Sequence, residues 1–139
     1  MIRLNAILLT CVVAALAAMS PVAYGKDSDA LEFTKDSLSV VKKNVAEGKA
    51  ILVDVRDLVE WNAGHVRDAI HLPWRDLQGK KNDQLIDKLP KDKIVYTYCA
   101  VGYRSSRAGK IIAKHKFDVR PLKPGFDDLV KAGFEAEKK

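Results

Sequence analysis

Cysteine and histidine are scarce in this 139-residue sequence, with two of the first and three of the second. Two cysteines cannot build a disulfide-dense scaffold, and with three histidines they cannot fill a closed structural zinc site without carboxylates. Eight glycines and five prolines exclude a collagen-like or low-complexity chain. No apolar run reaches the about 20 residues that a membrane-spanning helix needs. Aromatic-interleaved basic stripes and zinc-finger spacings are missing too, so a net charge of +6 does not point to nucleic acid. Lysine and arginine are instead scattered among acids, in short pairs such as Lys42-Lys43 and Lys80-Lys81, as on a solvated surface. There is no internal repeat and no long linker. What is present, 47% hydrophobic and 30% charged residues, is the composition of one compact globular domain.

The N-terminus stands apart from that domain. Arg3 is followed by no charged residue until Lys26, and only Thr10 interrupts the apolar run Ala6–Met19. That run has the length of an export-signal core, roughly 7–15 residues. Ala23-Tyr24-Gly25 places small residues at the −3 and −1 positions of a cut before Lys26; Ala15-Leu16-Ala17 would leave an apolar tail on the product. The reading is a cleaved signal peptide, residues 1–25, followed by a domain, residues 26–139. Any membrane contact then belongs to the leader alone, and the product is periplasmic, or secreted where there is no periplasm. Cys11 leaves with the leader, and Cys99 becomes the lone cysteine of an exported chain. Oxidising compartments usually pair their thiols, so an odd cysteine there suggests intermolecular pairing or a reactive thiol.

Along the domain, helical and strand patterns alternate. Leu38, Val41 and Val45 have helical spacing within 37–47, stopped by Gly48. Residues 50–55 form an apolar, β-branched run typical of a buried strand. A short helix over 57–63 ends at Gly64; a strand over 69–72 closes at Pro73; a helix over 82–89 stops at Pro90. A clear strand covers 93–98, and a helix over 105–116 carries Ser105 as N-cap and Ala108, Ile111 and Ile112 inward. A strand over 117–122 and a helix over 126–132 complete the series. Such alternation predicts an α/β fold with a mainly parallel central sheet flanked by helices. Ligands of these folds bind beyond the carboxyl ends of the strands, which is where Cys99 falls.

The loop Cys99-Ala100-Val101-Gly102-Tyr103-Arg104, followed by Ser105-Ser106, joins a strand to a helix. Backbone N–H groups in such a loop can converge on an anion; the helix N-terminus adds partial positive charge and Arg104 a full one. All three favour thiolate over thiol at Cys99. Gly102 permits a backbone conformation that a side chain resists.

This loop resembles the persulfide loop of the rhodanese family of sulfurtransferases, Cys-x-x-Gly-x-Arg-Ser. Upstream, Leu52-Val53-Asp54-Val55-Arg56, Glu60-Trp61, Gly64-His65-Val66, Ala69-Ile70 and Leu72-Pro73 resemble that family's first-strand motif and the segments after it. Leu122-Lys123-Pro124-Gly125-Phe126 with Gly133 resembles the segment after its last strand. The three matches, in order, cover nearly the whole domain and are most similar to small exported single-domain rhodaneses. Asp68 stands where the family usually has Gly, Pro124 replaces the first of two glycines, and Leu129 replaces a common aromatic.

The resemblance implies a rhodanese-like single domain in which Cys99 takes the outer sulfur of a small anionic donor, thiosulfate or polysulfide. The Cys99 persulfide then passes it to an acceptor, cyanide or a thiol. Ala100, Val101, Gly102, Tyr103, Arg104 and Ser105 would form the substrate-binding cradle. Asp54 and Arg56 would support its floor. Neither a metal nor an organic cofactor is implied. His65, His71 and His115 are not expected to act as bases, and Trp61 and Trp74 read as core or rim aromatics. A non-catalytic sulfane-sulfur carrier is the alternative, since it would use the same persulfide. A phosphatase or arsenate reductase fits less well, because those use Cys-x5-Arg whereas only four residues separate Cys99 from Arg104.

Overall fold

A computed structural model describes residues 28–138; the expected leader, residues 1–25, lies outside the described residues, as do 26, 27 and 139. The first helix, α1 (Leu38–Ala46), starts where the Ser37 hydroxyl accepts from the Val40 N–H and buries Val41 completely. Strand β1 (Ala50–Asp54) leads through residues 55–57 to α2 (Leu58–Ala63). Two short strands follow, β2 (His65–Val66) and β3 (Ile70–His71), then α3 (Trp74–Leu77) and α4 (Asn82–Ile86). Strand β4 (Ile94–Tyr98) feeds the cysteine loop and α5 (Tyr103–Ala113); α6 (Phe126–Lys131) and β5 (Ala136–Glu137) complete the chain.

The sheet has the order β3-β1-β4 and is parallel throughout. Residues alternate across it with the two-residue period of a strand. Leu52, Tyr96 and Tyr98 face a core shared with Val41 of α1 and Leu129 of α6. Val53, Val55, Val95 and Cys99 face the opposite core, with Leu77 of α3, Ile86 of α4 and Ala108 and Ile112 of α5. Register then fixes the site's location: Asp54 pairs with His71 on one side and Tyr98 on the other. All three strands therefore end level, and the segments after them leave from one edge.

Several boundaries differ from the sequence reading. The helix expected from Ser105 begins at Tyr103, because Gly102 adopts φ 92° and serves as the N-cap itself. Ser105 is instead inside the first turn, its hydroxyl 2.8 Å from the carbonyls of Gly102 and Leu122. The strand expected over 117–122 runs beside β4 only through the parallel bridge Val95↔Val119 and a few backbone hydrogen bonds. Pro121 within it has no N–H to extend a ladder. The helix expected over 82–89 stops at Ile86. The pairing of β2 with β5 and the single turn α3 were not expected, being too short for periodicity to show. Asp68, at φ 62°, occupies the left-handed region, which aspartate tolerates better than most residues and which accounts for glycine being usual there.

Candidate active site

Cys99 is the first residue beyond β4 and is 1% exposed. Its Sγ accepts the Gly102 N–H at 3.1 Å, closing a tight turn around the sulfur. The N–H groups of Tyr103, Arg104 and Ser105 follow as first-turn donors of α5, which have no carbonyl one turn earlier to bond. The first N–H of α5 to find one is that of Ser106, which reaches the Gly102 carbonyl at 3.1 Å. The turn thus sets three amide donors and a helix N-terminus immediately after the thiol, a suitable arrangement for negative charge on sulfur.

The turn is held from below. Phe126 N–H donates to the Cys99 carbonyl at 2.9 Å, and Thr97 Oγ1 donates to the Ser105 carbonyl at 2.9 Å. At Gly125 the chain comes so close that a Cβ there would lie 1.7 Å from the Ala100 carbonyl oxygen. A Cβ at Gly102 would lie 3.1 Å from the Lys123 carbonyl and from the ring of Phe33. The motif at 122–126 therefore forms the back wall of the cysteine loop.

Arg104 does not stand alone above the loop. Its two terminal nitrogens bind the two carboxylate oxygens of Glu60 at 2.6 and 2.9 Å, and Asp57 lies 3.5 Å away. Glu60 also accepts the Asp57 N–H at the start of α2. The Arg104 hydrogen bond holds Glu60 below the usual glutamate range, and Glu60 in turn pushes Arg104 further up. Glu60 was not among the expected site residues; the signals that could have found it were its place at the third position of α2 and the resemblance of Glu60-Trp61 to the family's pattern.

Asp54 and Arg56 form one buried ion pair, with Arg56 Nε at 3.0 Å from both carboxylate oxygens and Nη2 at 2.7 Å. Nη2 also donates to the Gly64 carbonyl, and the guanidinium lies 4.3 Å from the centre of the Phe126 ring. Arg56 thereby ties the end of β1 to the turn after α2 and to α6. Trp61 is sandwiched between His65 and His71, and each histidine bonds a backbone carbonyl. His115 lies by Asp83. Ala100 and Val101 are exposed, as is Tyr103, whose ring carries the Arg107 guanidinium at 3.8 Å. Among the described residues, no group of three or more His, Cys, Asp or Glu is placed to hold a metal ion.

The chain matches the family model of the rhodanese-like domain over residues 37–132. It is 37% identical over 79 residues to the uncharacterized protein YqhL of Bacillus subtilis, covering 56% of this chain and 59% of that one. It is 35% identical over 69 residues to a probable adenylyltransferase/sulfurtransferase, MoeZ, of Mycobacterium tuberculosis, covering 50% of this chain and 17% of that one. The chain thus spans less than two thirds of the length of either relative. A rhodanese-like domain from Anabaena superposes with a TM-score of 0.62 at 27% identity, covering 75% of this chain and 78% of that one. The human single-domain sulfurtransferase TSTD1 shares the fold, with a TM-score of 0.57 at 23% identity, over 69% of this chain and 94% of that one.

Proposed function

We propose that this chain, which belongs to the rhodanese-like domain family, is a thiosulfate sulfurtransferase working through a persulfide on Cys99. The observation that carries the reading is the 3.1 Å hydrogen bond from Gly102 N–H to Cys99 Sγ, inside a turn that opens directly onto the first amides of α5. The Cys99 thiolate attacks the outer sulfur of thiosulfate. A new S–S bond forms, the bond to the sulfonate sulfur breaks, and sulfite leaves with that electron pair. Three negative charges enter this step and three remain, two on sulfite and one on the persulfide. In the second half-reaction cyanide or a thiolate attacks the outer persulfide sulfur and Cys99 departs as thiolate. No outside oxidant or proton donor is required.

In this reading the loop amides hold the terminal sulfur's charge, and the fork of Arg104, bound to Glu60, fixes the loop rather than gripping the donor. Polysulfide is a donor of the same chemistry. Intact mass of the protein after thiosulfate exposure is the test. Wild type should gain one sulfur atom that a reductant removes, and Cys99→Ser should gain none. Loading without turnover of thiosulfate and cyanide would identify a carrier, and persistent loading in Cys99→Ser would end the proposal.

We also propose export, with cleavage before Lys26 and a periplasmic product, on the short apolar core and the small residues Ala23 and Gly25. N-terminal sequencing of the exported chain tests it; a product beginning at Met1 would mean an anchored protein instead.

A further inference from the structure

Thr97 of β4 is fully buried and shares its face of the sheet with Val53, its register partner, and with Val55 and Val95. Valine would suit that place by size and by neighbours, so only the hydroxyl sets Thr97 apart. The hydroxyl donates to the Ser105 carbonyl at 2.9 Å. That carbonyl lies within α5, where the N–H four residues on, that of Gly109, is its helical partner. A carbonyl oxygen has two lone pairs, so the bond from Thr97 is an addition and not the rescue of an orphan. Gly109 lets it form. A Cβ there would lie 2.7 Å from Pro121 Cγ and 3.5 Å from Thr97 Oγ1. Glycine weakens a helix interior, but here it seats α5 closely enough for the Ser105 carbonyl to reach β4.

The bond continues toward the sulfur. The peptide unit whose carbonyl accepts from Thr97 also presents the Ser106 N–H, which donates to the Gly102 carbonyl at 3.1 Å. That carbonyl belongs to the unit presenting the Tyr103 N–H, the first donor of α5, directly after the Gly102 N–H that holds Cys99 Sγ. A donor to a peptide carbonyl strengthens that unit's own N–H, by roughly 10–30% per bond. We propose that Thr97 is a positioning residue for Cys99: through Ser105, Ser106 and Gly102 it fixes and polarises the first turn of α5 against charge on the sulfur. The inference rests on the sulfur-transfer reading above. The charged and titratable groups on the elements around the loop are Arg104 with Glu60 and Asp57, Arg56 with Asp54, His71 and Lys123. Replacing the Thr97 hydroxyl leaves all of them in place, so a changed pH profile at Cys99 would report the chain of amides.

The test compares Thr97→Val, which removes the hydroxyl and keeps the volume, with Thr97→Ser, which keeps the hydroxyl and loses a methyl. Single-turnover loading from thiosulfate, followed by intact mass, should be about three- to tenfold slower in Thr97→Val at saturating donor. The half-saturating donor concentration should not change, and Thr97→Ser should recover most of the rate. Because the Ser105 carbonyl keeps its helical bond and valine suits the core, the melting temperature of Thr97→Val should match or exceed that of wild type. Independently of sulfur transfer, the pH midpoint of Cys99 alkylation by iodoacetamide should move upward in Thr97→Val and return in Thr97→Ser. Loading and alkylation equal to wild type in Thr97→Val would overturn the proposal. So would slower loading that tracks a lowered melting temperature and that serine fails to restore. A shifted alkylation profile in a protein whose wild type loads no sulfur would strike down sulfur transfer and leave the action of Thr97 on the thiol standing.

Discussion

At the scale of the residue, the pair Arg104–Glu60 is the most consequential contact around Cys99. Both carboxylate oxygens are used, so lysine at 104 would keep the charge and lose the matched geometry. Arg104→Lys and Glu60→Gln should each lower thiosulfate turnover by an order of magnitude or so through a displaced loop. The double variant should be no worse than the poorer single one, with a coupling of about 1 kcal/mol after discounting for partial solvent exposure. Unchanged turnover in Arg104→Ala with normal folding would show that the amides and helix end suffice. Gly125 makes a steric case: alanine there would place its Cβ 1.7 Å from the Ala100 carbonyl oxygen, so backbone must move. Gly125→Ala should destabilise the protein by about 2–3 kcal/mol, read from urea midpoints, and slow persulfide formation.

At the scale of the element, the cysteine loop is clasped between two segments that precede and follow the sheet. One is 122–126. The other is the extended segment 31–36, which lies outside the family-matched residues. Leu31 N–H donates to the Ser106 carbonyl at 3.0 Å, Thr34 N–H donates to the Pro121 carbonyl at 2.9 Å, and the Phe33 ring covers Gly102. Phe33 is 39% exposed, so its loss removes little core and acts mainly on the loop. Phe33→Ala should therefore leave the circular dichroism spectrum unchanged while raising the rate of Cys99 alkylation by iodoacetamide several-fold, because the buried sulfur gains access. Equal alkylation rates in the two proteins would show that 31–36 does not brace the loop.

At the scale of the whole molecule, two ion-pair clusters should make folding sensitive to acid. Asp36 is held below the usual aspartate value of 3.8, first by the Tyr96 hydroxyl and then by Arg120, and Glu60 below the usual 4.5 by Arg104. A carboxylate with a lowered folded pKa contributes stability above its unfolded value and loses it as pH falls through the folded one. Stability should thus be level from neutrality to about pH 5 and decline below roughly pH 4. Asp36→Asn/Glu60→Gln should be less stable at neutrality and show a flatter acid limb in urea titrations at stepped pH. A limb as steep as wild type would assign acid sensitivity to other carboxylates.

The alternation of apolar runs, the cysteine at a strand end and the positive-φ glycine at 102 were all readable from the sequence, because local periodicity and backbone freedom are properties of short segments. They sufficed for a parallel α/β sheet and for the loop that carries Cys99. The partner of Arg104 was a different matter. Glu60 lies 44 residues from Arg104 along the chain, and only the level ends of β1 and β4 bring them together. The same holds for Phe33 over Gly102 and for Trp74, which shares a cavity lining with Tyr103 and Lys110 of α5. Contacts between distant segments depend on strand register and on which face of the sheet each helix covers, and no local pattern of residues encodes either.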